Sequence, residues 1–181
     1  MTDIRIVRDY PHSPAKVWRA VTDPDLVPLW TASGRGGRPV GFSATVGNRF
    51  QLVAKPVPGW RGVVDCEVLE AREPFELRYS WVGDEGGAAT YVTYHLEPHR
   101  LEGPHRLEPH RPDRALGAAV DGTRFTYLHT GFTGVGGFAM AKLLGSVRTR
   151  MLTVGLAAVL DDLTDEGTLR PGSTLRPLDL S

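Results

Sequence analysis

The feature that most constrains this chain is a change of hydrophobic period. From residue 40 to 132 apolar side chains tend to recur at every second position, and from 138 to about 164 they recur at helical spacing. Alternation sends successive side chains to opposite faces of a strand, whereas spacings of three and four line one side of a helix. A run of strands followed by one long helix leaves few ways to bury both apolar surfaces. The sheet must lie on the helix or curl around it.

Turn signals divide the alternating stretch into strands at 40–46, 49–55, 60–71, 75–82, 89–96 and 123–132. The punctuation is Gly47-Asn48, Pro56-Val57-Pro58-Gly59, Glu73-Pro74, Asp84-Glu85-Gly86-Gly87 and Asp121-Gly122. Ahead of them, IRIVR at 4–8 alternates as a strand, and Ser13-Pro14 caps a helix through Val17, Trp18 and Val21. Asp23-Pro24-Asp25 ends that helix and opens a shorter one through Leu26 and Leu29 to Trp30. Residues 31–39 (TASGRGGRP) and 134–137 (GVGG) read as a flexible loop and a flexible link. The long helix carries a stripe of Met140, Leu144, Val147, Met151, Val154 and Ala158, over a length of roughly 40 Å.

The fold class expected is therefore α+β: a curved antiparallel sheet wrapped around a long C-terminal helix, with two short helices after the first strand. One domain spans 1–166, with an insert at 97–120 between two strands and a disordered tail at 167–181 that repeats TLRP.

The insert contains LEPHRLEGPHRLEPHR at 96–111, one phrase stated three times with an extra glycine. Three histidines, His99, His105 and His110, raise the question of a metal site. Structural metal ligands are held in fixed geometry on rigid elements, and this segment is interrupted by proline and has only Leu101 and Leu107 as apolar anchors. A tandem duplication in a surface loop, which costs little closure entropy, is the expectation. No metal and no other cofactor are expected.

Charge excludes further classes. The 21 basic and 21 acidic residues cancel, which argues against binding nucleic acid by neutralising phosphates. The longest apolar run, VGLAAVL at 154–160, is too short to span a bilayer, so no membrane partner is expected. MTDIRIVRDY lacks the apolar stretch of a signal peptide and Cys66 stands alone, so a cytoplasmic address is expected. Of the 21 basic residues 18 are arginine, with one asparagine and two isoleucines in the chain. That bias points to a GC-rich source such as an actinobacterium.

The order of elements resembles the START-like, helix-grip superfamily. Within it SPAKVWRAVTDPDLVPLW, FELRYSWV and GTRFTYLHTGF resemble the branch related to the activator of the 90-kDa heat-shock chaperone ATPase. The resemblance covers roughly residues 3 to 165. It implies a β-grip around a central cavity that commonly takes hydrophobic ligands.

Alternation selects the residues expected to face that cavity: Phe50 and Leu52; Val64, Cys66 and Val68; Leu77, Tyr79 and Trp81; Val92 and Tyr94; Phe125, Tyr127, His129 and Gly131. Trp30 is placed at the mouth, with Met140, Leu144 and Val147 closing the cavity from the helix. So many tyrosines and tryptophans suit a ligand with aromatic and polar parts. His129 has no evident catalytic partner, Cys66 reads as a buried hydrophobe, and GxSxG, HExxH, CxxC and P-loop motifs are absent from the sequence. No catalytic residue is assigned.

The expected function is binding of a hydrophobic, polyketide-like small molecule. The resemblance also implies a sharper version, self-sacrifice resistance to an enediyne, with Gly131 or Gly134 as the backbone hydrogen donor. The rivals are a protein-interaction module like the chaperone activator and a polyketide aromatase or cyclase.

Overall fold

The computed structural model describes residues 3–33, 36–83, 87–101 and 120–179. Strand β1 (Ile4–Tyr10) leads to helices α1 (Pro14–Thr22) and α2 (Val27–Thr31). Strands β2 (Arg38–Val40), β3 (Arg49–Val53), β4 (Val63–Arg72), β5 (Glu76–Trp81), β6 (Thr90–Leu101) and β7 (Val120–Thr130) follow. The chain closes with α3 (Gly134–Arg150), a π-helical segment (Met151–Leu156) and α4 (Ala157–Asp162), one unbroken helix of 29 residues.

The sheet runs β1-β7-β6-β5-β4-β3-β2 with every pairing antiparallel, and it curls into a half-barrel. This is the helix-grip α+β fold. Ser13 caps α1 by accepting from the Lys16 amide at 3.3 Å, with Pro14 in the first turn. Pro39 sits in β2 at the sheet edge, where its missing amide donor costs no ladder bond.

Several boundaries differ from the sequence expectation. The strand expected at 40–46 is instead Arg38–Val40. Gly41 turns the chain at φ 73°, and the Asn48 side chain then accepts from the Ser43 amide and donates to the Gly41 carbonyl. Phe42 and Ala44 keep the alternating burial of a strand without its ladder. Asp121-Gly122 lies inside β7 and does not open it. Residues 34–35 of the glycine-rich loop and 84–86 of the expected turn lie outside the described residues.

The insert begins later than residue 97. The first copy of the repeat is strand: Glu97 pairs with Arg124, His99 with Gly122 and Leu101 with Val120. Arg124 is held by Asp9 at 2.9 and 3.0 Å and reaches His99 Nε2 at 3.0 Å, so this copy has partners on β1 and β7. His105 and His110 lie outside the described residues.

The expected tail also differs. Leu163 bridges Leu169, the Arg170 amide donates to the Asp162 carbonyl, and Leu169 and Leu175 pack against the core. Residues 180–181 lie outside the described residues.

The long helix departs most. Met151 is buried as expected, but Val154 is 57% exposed and Ala158 is exposed. Gly155, Leu156, Val159 and Leu160 take their place. The π-helical segment inserts the extra residue per turn that advances the buried face by one position. The Tyr10 hydroxyl donates to the Leu152 carbonyl at 2.7 Å within it. Gly155 is where the helix crosses α2, since a side chain there would fall on the Trp30 carbonyl and Ser33. The expected flexible link at 134–137 is already the first turn of α3, entered through Gly134 at φ 68°.

By length and composition Gly134–Asp162 is apolar enough to cross a bilayer, which its longest apolar run did not suggest. In this fold its C-terminal half is core: Met151, Leu152, Leu156, Val159 and Leu160 are each at most 2% exposed. Its N-terminal half buries only Ala141. Between that half and the sheet there is space.

Candidate functional site

The space is a cavity of about 960 Å³, within the range of small-molecule sites. One wall is the inner face of the sheet, with Phe50, Leu52, Val64, Leu77, Tyr79, Trp81 and Tyr94. The other is α3, with Met140, Leu143, Leu144, Val147, Arg148 and the adjoining Met151. Val27 and Trp30 close one end, and the 57–60 turn and Gly131–Thr133 form part of the rim. Trp30 is fixed by its indole N–H, which donates to the Ala20 carbonyl at 3.0 Å.

Of the residues expected at the cavity, Trp30, Phe50, Leu52, Val64, Leu77, Tyr79, Trp81, Tyr94, Met140, Leu144 and Val147 line it, and so does Gly131. Cys66, Phe125, Tyr127 and His129 point to the same face of the sheet but lie behind the lining, each at most 5% exposed. Gly134 begins α3 and is not part of the lining. Alternation gives the face of a side chain but not its depth.

The rings form a continuous layer. Phe50 meets Tyr79 at 5.6 Å, Tyr79 meets Tyr94 at 5.8 Å, and Tyr94 meets both Phe125 and Tyr127. The hydroxyls of Tyr79 and Tyr94 share a hydrogen bond of 3.1 Å. Burial holds Tyr79 well above the usual phenol range and pushes Tyr94 up to about 12, so both keep their protons.

His129 is fully enclosed. Thr90 Oγ1 meets its Nε2 at 2.8 Å, the Tyr127 hydroxyl meets its Nδ1 at 3.3 Å, and Trp81 and Phe132 pack on the ring. Burial, and then the positive charge of Arg148, depress its pKa to about 3. It is a neutral, hydrogen-bonded core group. The Cys66 thiol is pushed up to about 12, first by burial and then by Asp65, which leaves it a poor nucleophile.

Sequence reasoning missed Arg148. It lies in the helical stripe Ala141, Leu144, Arg148, Met151, Gly155, whose spacings of three and four carry a single cation among apolar and small residues. That interruption was the available signal. Its guanidinium carbon lies 4.9 Å from the centre of the Trp81 ring. Phe42, Trp60 and Leu143 are further lining residues that alternation did not select. Among the described residues, the cavity lining contains no carboxylate, imidazole or thiol, and no cluster of three or more His, Cys, Asp or Glu side chains is arranged to hold a metal.

Residues 11–107 match the model of the family described as Activator of Hsp90 ATPase homolog 1-like protein. Among solved structures the chain is similar to MLL2253 from Mesorhizobium loti, at 25% identity and TM-score 0.61, covering 88% of this chain and 96% of that one. It is similar in fold to CalU16 from Micromonospora echinospora, at 19% identity and TM-score 0.57, covering 91% and 78%. DynU16, a protein of the dynemicin biosynthetic locus, shares the fold at 20% identity and TM-score 0.59, covering 89% of this chain and 48% of that one. This chain thus spans about half the length of DynU16. No curated protein matches.

Proposed function

From a chain that belongs to the family of Activator of Hsp90 ATPase homolog 1-like proteins, we propose that this member binds a hydrophobic, polyketide-like small molecule in its central cavity. The observation that carries the proposal is the separation of α3 from the sheet. The fold keeps about 960 Å³ open and lines it with aromatic and aliphatic side chains, although the other half of the same helix is packed dry. Binding is favoured over turnover because the described lining offers no pair of groups that exchange protons near neutrality. That same feature weighs against an aromatase or cyclase.

The sharper reading is self-sacrifice resistance to an enediyne. The likeness in fold to DynU16 makes it worth testing. An aryl diradical would take a hydrogen atom from a glycine α-carbon, and the resulting backbone radical would react with dioxygen and break the chain. Gly131, Gly136 and Gly137 line the cavity and Gly134 does not, so Gly131 is the stronger candidate of Gly131 and Gly134.

The test is solution NMR of the labelled protein with a panel of aromatic polyketides, followed by incubation with a reductively activated enediyne. Binding should shift Tyr79, Trp81, Tyr94 and Leu144, and the enediyne should give one cut at a rim glycine. An intact chain beside degraded DNA would remove the sharper reading alone. Shifts restricted to the outer face of the sheet or of α3 would favour the protein-interaction reading. The exposure of Val135 and Phe138, at 89 and 48%, supports that alternative.

A further inference from the structure

One charged group in the cavity lacks, among the described residues, a counterpart of opposite charge. Arg148 projects from α3 toward the sheet, stacks its guanidinium over Trp81 at 4.9 Å, and places Nη1 3.1 Å from the Met151 sulfur. Its Nε is shut off from solvent and has no hydrogen-bond partner. The guanidinium shares a hydrogen bond with the Tyr127 hydroxyl, and the other ionisable groups that act on it are the phenols of Tyr79 and Tyr94; none of these is a carboxylate.

A cation in such a place is unusual. Taking a charge out of water is unfavourable unless it is paired and hydrogen-bonded. The Trp81 ring returns part of that loss, and the thioether is a weak acceptor. The tyrosines supply no negative charge, because burial keeps their hydroxyls protonated. Nor does His129 form an ion pair with it, being a neutral side chain with both ring nitrogens hydrogen-bonded elsewhere. Arginine stays charged in every accessible environment and presents a planar fork of donors. The missing partner is therefore an acceptor, and the open space before Arg148 is where it would lie.

We infer that Arg148 is the anchor of the cavity, receiving a carboxylate or comparably acidic oxygen group carried by an otherwise apolar, aromatic ligand. The inference rests on the reading of the cavity as a ligand site and adds the chemical class and orientation of the ligand. The acidic group points to the inner end, at Arg148 and the Tyr79–Tyr94 hydroxyl pair. The apolar body extends along α3 toward Met140, which is half exposed at the mouth. Guanidinium pairing with such an oxygen is charge-assisted, and two parallel donors give it direction. Trp81 fixes the plane of the fork from below.

Two fluorescent dyes separate this inference from the reading it rests on: 1-anilinonaphthalene-8-sulfonate, and N-phenyl-1-naphthylamine, which is the same skeleton without the anion. The folded wild type should bind the sulfonate at least about tenfold more tightly than the neutral dye, and each should displace the other. Arg148→Met should weaken the sulfonate at least about tenfold and change the neutral dye by no more than about twofold. Arg148→Lys, which keeps the charge but not the fork, should fall between. If the neutral dye binds but the sulfonate gains nothing over it in the wild type, the anchor is wrong and the ligand site stands. Equal losses for both dyes in a cooperatively melting Arg148→Met protein would overturn it as well. Binding of neither dye to the wild type would remove the cavity reading and the anchor with it. Should Arg148→Met fail to fold, the wild-type ratio and Arg148→Lys decide the matter.

Discussion

The two halves of the long helix face the same sheet and do opposite things. Beyond Met151 the helix is pressed onto α1 and α2, and Leu156, Val159, Leu160 and Leu163 are fully buried. Before it, α3 leaves Met140 and Leu143 half to two-thirds exposed and holds a cavity under Leu144 and Val147. Composition does not explain the contrast, since both halves are apolar. Geometry does. The π-helical segment turns the apolar face by one residue, and Gly155 lets the helix approach α2 closely enough to seal that end. One end specifies the fold, and the other is left open for what the fold contains.

Truncation at the two ends should therefore give unequal costs. Leu156→Ala removes a fully buried side chain from the sealed end and should lower unfolding free energy by about 2–5 kcal/mol. Leu144→Ala only enlarges a cavity already present, so its cost should be about 1 kcal/mol or less, with the main loss in ligand affinity. Urea denaturation of both variants checks this, and equal costs would mean that the cavity end is as tightly packed as the other.

The crossing glycine gives the next effect. A methyl group at Gly155 meets the Trp30 carbonyl, which is backbone and cannot swing aside. Gly155→Ala should destabilise by about 1–3 kcal/mol and disturb the Trp30 wall of the cavity. Intrinsic tryptophan fluorescence together with a thermal melt would detect both. An unchanged melt would mean that close approach to α2 does not seal that end.

Much of this contrast was not legible in the sequence. The sheet was, because period two survives along β3 to β7 and names the inward face correctly. Depth was not: Phe50 and Phe125 alternate in the same way, yet one lines the cavity and the other lies behind it. The face of the helix was legible only as far as Met151, because an extra residue within one turn leaves no mark on the sequence pattern that precedes it. Val154 and Ala158 were misplaced for that reason alone. Arg148 was visible as a cation in an apolar stripe, but its lack of a carboxylate partner emerges only from the fold, which sets tyrosines of β5, β6 and β7 before it.

His129 lies behind the cavity wall, against Trp81 and Phe132, and its titration reports how well that wall shuts it off. Its pKa falls from 6.5 to about 3 on folding. The unfolded chain therefore takes up a proton below pH 6.5 that the folded protein refuses. The stabilising contribution is whole above that pH and is lost as pH falls toward 3, at about 1.4 kcal/mol per pH unit. At pH 5 the wild type should have lost about 2 kcal/mol more, relative to pH 7, than His129→Gln has lost. Chemical denaturation at the two pH values measures the difference directly. Identical pH profiles would show that water reaches the imidazole and that the cavity extends past Trp81.

The smallest effect belongs to the mouth. Gly136 lies in the first turn of α3, and a methyl group there meets nothing within 4 Å. Its φ is not in the left-handed region, unlike that of Gly134 at 68° or Gly131 at 94°. Alanine should thus be accepted without strain and should narrow the freedom of the unfolded chain, stabilising the protein by about 0.4–1 kcal/mol. The same exchange at Gly131 should destabilise, because a side chain at that φ is strained and lies 3.3 Å from the Thr90 backbone. The pair distinguishes a mouth held open by glycine flexibility from one held open by the fold. If openness is a property of the fold, Gly136→Ala raises the melting temperature and leaves binding of N-phenyl-1-naphthylamine unchanged. If the first turn of α3 must open to admit a ligand, Gly136→Ala slows dye association although the added methyl touches nothing.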